Sequence, residues 1–207
     1  MNDPSKKNPG SEPDLLRKDL QRSLDASHVD PLKLSPFQRI LLTTDGTVTE
    51  LLEAFSGDSM RVVKLSQDVV KLDDPTPDLD LPGQREVLRR TILLQGRISA
   101  TNFLYAESLI ALDRLDAGVR DGLLNTGKAI GLLILEQRIE TFKEIVRCGR
   151  ELARDVGKHF GIDADASLIA RSYRMITNGN PIMLITEKFP ESYYQEWTPG
   201  GGSQDGP

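Results

Sequence analysis

Asn178-Gly179-Asn180-Pro181 is a tight-turn sequence with an apolar, β-branched run on each side. Ile169–Ile176 leads into it and Pro181–Pro190 leads out, so the two arms predict a β-hairpin. Alternation along the second arm puts Met183, Ile185, Glu187 and Phe189 on one face, and Leu184, Thr186 and Lys188 on the other. Glu187 therefore shares a face with aliphatic residues. Either it reaches solvent at the rim of a sheet, or it enters a pocket that uses a carboxylate. On the first arm Arg171 and Tyr173 share a face and Arg174 opposes them. Pairing Thr177 with Asn180 across the turn does not settle which arginine approaches Glu187.

A second hairpin is predicted over Arg85–Leu109, with a turn at 96–100. In its first arm, Arg90 alternates onto the same face as Leu88, Ile92 and Leu94, and Arg89 onto the opposite face. An arginine facing inward meets an anion or carries a large desolvation cost. Its planar fork suits a carboxylate held by two parallel hydrogen bonds. Which of Arg89 and Arg90 faces inward is open from alternation alone.

The remaining segments supply helices and further strands. Ser35-Pro36 opens a helix carrying Phe37, Ile40 and Leu41. Thr47 with Glu50 fits a capping box for a second helix, with Val48 in its first turn. Arg61–Leu65 is a short strand. Asp116 caps a helix holding Val119 and Leu123, and 128–136 is helical. The loop and first turn from Gly127 to Gly131 offer free backbone amides that suit a carboxylate. The segment 139–146 reads as a strand, followed by a helix over about 150–160. Strands that alternate in this way, with helices between them, predict an α+β fold built on a single, largely antiparallel β-sheet.

Composition excludes several function classes. The net charge is −5, which supplies no field for nucleic acid. Cys148 is the only cysteine, and His28 and His159 are far apart, so no metal site is expected. No membrane span or signal region is visible, which predicts a cytoplasmic protein. Residues 1–34 read as a partly disordered tail with a weak amphipathic helix around Leu15–Leu24, residues 35–194 as the folded body, and 195–207 as a disordered tail.

Three segments in order, VLRRTILLQG, RIETFKE and GNPIMLITEKFP, resemble the chorismate pyruvate-lyase family, in particular its divergent mycobacterial and cyanobacterial branch. The resemblance spans about residues 36–194. It implies the lyase fold, an antiparallel sheet with surrounding helices and an enclosed site. It also implies a cofactor-free elimination of pyruvate from chorismate to leave 4-hydroxybenzoate, a step in aromatic-acid biosynthesis toward quinones or secondary metabolites.

By the same resemblance, Arg90 holds the ring carboxylate, with Arg89 as the fallback. Amides at Ile130 and Gly131 contact that carboxylate, and Glu187 meets the ring hydroxyl as a base or as an orienting group. Val48 stands where the family has a methionine. Arg174 or Arg171 is the expected partner of the enolpyruvyl carboxylate. A monomer or weak homo-oligomer is expected, with no nucleic acid or membrane partner.

Two other readings compete. One is a related lyase acting on a chorismate-like acid. The other is a non-catalytic domain that binds a small aromatic acid, because ligand-binding domains of some transcription regulators resemble this fold. Those domains normally follow a winged-helix domain, for which about 35 preceding residues are too few.

Overall fold

Asn178 and Gly179 both take positive φ, 49° and 75°. A two-residue hairpin turn of this kind needs such values to match the twist of its strands. In the computed structural model, which describes residues 29–30, 33–126 and 128–195, this turn joins β5 (Ser167–Thr177) to β6 (Asn180–Pro190). The other predicted hairpin is β2 (Arg85–Gly96) and β3 (Asn102–Ile110). β1 (Met60–Leu72) and β4 (Phe142–Leu152) form the two edges. All six strands make one antiparallel sheet in the order β1-β2-β3-β6-β5-β4. β1 and β4 do not meet, so the sheet is open.

Four helices cover one face: α1 (Pro36–Thr43), α2 (Val48–Ser56), α3 (Ala117–Asn125) and α4 (Ile130–Glu136). The main core lies between them and the sheet, where Leu41, Leu52, Leu123 and Leu133 pack on Leu88, Leu104, Ile110 and Met183. Two smaller clusters sit on the opposite face. Phe160, from the short α5 (Gly157–Phe160), packs on Leu93 and Leu168, and Leu79 and Leu81 pack on Val87.

Local chemistry sets the helix starts. The Ser35 hydroxyl accepts the Gln38 N–H at 3.1 Å, and the Gln38 carbonyl oxygen of the side chain accepts the Ser35 N–H at 2.9 Å, a reciprocal capping box. Asp116 accepts the Gly118 N–H at 2.8 Å. The box expected at Thr47 does not form, since Thr47 makes no side-chain cap bond.

β4 also departs from expectation. It runs on to Leu152, and α5 begins only at Gly157. A bulge at Val146 shifts the pairing between Ile145 and Arg147. The buried residues Ile145 and Cys148 then fall three apart, a helix-like spacing inside a strand. The expected helix around Leu15–Leu24, most of the two expected tails, Gly127 and Trp197 lie outside the described residues; Val29 and Leu34, inside the expected N-terminal tail, are buried in the main core.

Candidate functional site

The helix-covered face of the sheet encloses a cavity of about 90 Å³. Sites for drug-sized ligands run to roughly 300–1,000 Å³, so this one suits a single small ring. Its floor comes from β2, β3, β5 and β6, with Lys143 reaching in from β4. Its cover is Thr47–Thr49 at the start of α2 and Ala129–Gly131 at the start of α4. A recess of about 640 Å³ adjoins it, sharing Thr47, Thr49, Leu94, Ala129 and Gly131.

Arg90 stands at the β2 side. It is 1% exposed, while Arg89 points to solvent, so the alternation resolves in favour of Arg90. One terminal nitrogen of its guanidinium donates to the Lys128 carbonyl at 3.0 Å. Its Nε is buried with no partner. Burial pushes its pKa down, because the charged form has lost water. Among the described residues Arg90 makes no salt bridge. Ser108, its direct partner on β3, also lines the cavity.

Glu187 is 5% exposed and faces the same cavity, not the rim. One of its oxygens accepts the Arg171 Nε at 2.7 Å, and the other accepts the Tyr173 hydroxyl at 3.0 Å. Arg171 also donates to the Thr44 carbonyl at 3.0 Å. Burial opposes the charge on Arg171, but the Glu187 carboxylate more than offsets this and raises its pKa. Burial, reinforced by Glu187, pushes the Tyr173 hydroxyl well above its usual range.

The register explains why Arg171 is the partner. Thr177 pairs with Asn180 and Ile176 with Pro181, but Met175 pairs with Met183, which leaves Ile182 as an extra residue on β6. Without this bulge, Glu187 would face Ala170, and Arg174 would point toward the cavity. With it, Glu187 lies directly opposite Arg171. Arg174 is turned to the other face, where it donates to Glu144 at 2.8 Å. Its expected place in the site is thus corrected. Arg171 does not line the cavity itself; it backs Glu187.

Val48, Ile130 and Gly131 all line the cavity. Ile130 and Gly131 lie in the first turn of α4, where N–H groups have no carbonyl within the helix. Tyr173 and Lys143 are additional polar residues of the site. Lys143 donates to the Gly46 carbonyl at 2.9 Å. Its signal was readable in the sequence: as a strand residue it alternates onto the face of Ile145, just as Arg90 does with Leu88 and Ile92. Among the described residues, no group of three or more His, Cys, Asp or Glu side chains is placed to hold a metal, and no helix is long and apolar enough to cross a membrane.

Residues 42–198 match the family described as chorismate pyruvate-lyase, Rv2949c-like. A chorismate pyruvate-lyase of Mycobacterium tuberculosis is 34% identical over 168 residues, covering 79% of this chain and 84% of its own. Among solved structures, the effector domain of PhnF from Mycobacterium smegmatis superposes with a TM-score of 0.55 at 16% identity, over 70% of this chain and 88% of that one. A GntR-family transcriptional regulator from Bacillus cereus gives 0.53 at 12% identity, over 67% and 96%.

These superpositions correct the expected fold. The architecture is the open antiparallel sheet with flanking helices of regulator effector domains, not a fold specific to chorismate lyases. The resemblance to the lyases is one of sequence, and the likeness to the regulator structures is one of fold. Pyruvate elimination, an enzyme and a place in aromatic-acid biosynthesis are expectations tied to the lyase fold, and they do not follow from the fold observed, which solved regulator structures share. Arg171 and Tyr173 engage both oxygens of Glu187, the carboxylate expected to act as a base or to orient the ring hydroxyl.

Proposed function

The chain belongs to the Rv2949c-like chorismate pyruvate-lyase family, and from that premise we propose that it is a binding domain for a small ring acid, which it holds without breaking down. The observation that carries this reading is Arg90: a guanidinium 1% exposed, with an unpartnered Nε, at the wall of a ring-sized cavity. A buried cation with no anion is costly. A ligand carboxylate removes that cost, because the guanidinium still has donors to offer it.

The aliphatic walls from Ile92, Leu104 and Ile185 suit the faces of a ring. At the far side, each Glu187 oxygen already accepts one hydrogen bond and retains capacity for another. A ring hydroxyl opposite the carboxylate fits there as a donor. This is the pattern of 4-hydroxybenzoate and of chorismate, the acid carried in the relatives' name. Residues 35–194 are taken as the binding body. No nucleic-acid contact is assigned to it, because a net charge of −5 supplies no attraction for a polyanion. A monomer or weak homo-oligomer is assigned.

Calorimetric titration of the intact chain with 4-hydroxybenzoate tests the reading. One saturable site is expected. Arg90→Ala should weaken it by about tenfold or more, the loss of a charge-assisted hydrogen bond, and Arg89→Ala should leave it unchanged. Equal affinity in wild type and Arg90→Ala contradicts the proposal.

A further inference from the structure

Arg90 has a neighbour that the ring-acid reading does not use. In the pairing of β1 with β2, Gln67 stands directly opposite Arg90. Residues paired in this way point to one face, with Cβ atoms about 4.5–5.5 Å apart. A bulge sets the pairing. Lys64 pairs with Ile92 and Ser66 with Thr91, which leaves Leu65 as an extra residue on β1. Without it Ser66 would stand opposite Arg90, and Gln67 would be turned outward with Arg89. With it, the longer amide side chain lies beside the buried guanidinium.

Both side chains are tied to the same stretch of the helical cover. Gln67 donates through Nε2 to the Leu123 carbonyl at 3.3 Å, in the last turn of α3. Arg90 donates to the Lys128 carbonyl at 3.0 Å, in the connection from α3 to α4. Each side chain then has an atom left over. Among the described residues, three buried side-chain atoms are without a hydrogen-bond partner: Gln67 Oε1, Arg90 Nε and one terminal nitrogen of Arg171. Two of these are an acceptor and a donor on directly opposed residues. Leaving either one buried and unbonded is costly, and a bond between them removes both costs.

From this juxtaposition we infer that Gln67 is the positioning residue of Arg90. When a ligand carboxylate takes the two terminal nitrogens of the guanidinium, the Arg90 Nε–H donates to Gln67 Oε1. The amide then holds the planar fork end-on to the ligand. Five N–H donors are enough for the Lys128 carbonyl, two ligand oxygens and Gln67 together. Binding thus satisfies the buried charge of Arg90 and the idle oxygen of Gln67 in one step, and the two residues tighten as a unit. Gln67 itself does not line the cavity, so it acts only through Arg90. The inference rests on the ring-acid reading of the same site.

The test uses the intact chain and Gln67→Met, which keeps the length of the side chain and removes the acceptor. Thermal unfolding of both is recorded, 4-hydroxybenzoate is titrated by calorimetry, and the Arg90 Nε–H resonance is followed by heteronuclear NMR, identified by its loss in Arg90→Ala. Gln67→Met should bind about tenfold more weakly than wild type. Saturation should move the Nε proton of wild type downfield, the mark of a new hydrogen bond, and should leave that of Gln67→Met in place. Unchanged affinity in Gln67→Met overturns the inference and leaves the ring-acid reading standing. Weaker binding with the same proton shift in both proteins also overturns it, because Gln67 then only fastens α3 through Leu123. If Gln67→Met does not fold, wild type decides alone: a downfield shift on saturation supports the inference and its absence overturns it. If wild type binds no 4-hydroxybenzoate, the ring-acid reading itself fails and the inference goes with it.

Discussion

Arg90 and Arg171 are both fully buried, and their neighbours give them opposite consequences. Each has one idle nitrogen, but Arg171 has the Glu187 carboxylate while Arg90 has only a carbonyl. Replacing Arg90 with methionine removes an unpaired charge and keeps much of the volume. Arg90→Met should therefore stabilise the free chain, by about 1–3 kcal/mol in denaturant unfolding, while ring-acid binding is lost. Glu187→Gln should do the reverse. It strands the Arg171 charge, and a loss of about 3 kcal/mol is expected in the same measurement. Alternation put Arg90 on one face with Leu88, Ile92 and Leu94 but left open whether that face or Arg89's is the inner one; the resemblance pointed to Arg90. The Arg171–Glu187 pair was not legible, because the decision lies in one inserted residue, Ile182, and an insertion in a strand leaves no mark in an apolar run.

At the scale of elements, the turns were legible and the bulges were not. Asn178-Gly179 marks a hairpin because few other residues accept positive φ twice in succession. The bulge at Val146 gives β4 a spacing that reads as helix, and this masks the inward face that Lys143 shares with Ile145.

The contact that fastens the C-terminal turn is testable in the same terms. Glu191 opens a 3-10 turn that reaches Tyr194. It accepts Arg150 Nε at 2.9 Å and the Ser167 hydroxyl at 2.6 Å. Burial raises the pKa of this carboxyl, but the bonds from Arg150 and Ser167 outweigh it, and the net shift is downward. A depressed folded pKa stabilises the fold at pH values above the unfolded carboxylate range, and that contribution fades as pH falls through the folded pKa. Glu191→Gln should thus cost about 1–2 kcal/mol near pH 7. The gap between variant and wild type should close as the pH is lowered below 4 in a series of urea titrations.

For the molecule as a whole, alternating strands and capped helices foretold one antiparallel sheet with a helical cover. What sequence could not convey is which proteins have put this sheet to what use. Motifs shared with lyases and a fold shared with regulator effector domains meet in one chain. The cavity of this chain is small and apolar-walled, with cations at its two ends and a carboxylate already engaged. Incubating the intact chain with chorismate, with binding followed by calorimetry and pyruvate assayed in the same samples, separates holding from breaking. Saturable binding with pyruvate no faster than in buffer is the predicted result; pyruvate and 4-hydroxybenzoate appearing together, in proportion to the protein added, would contradict it.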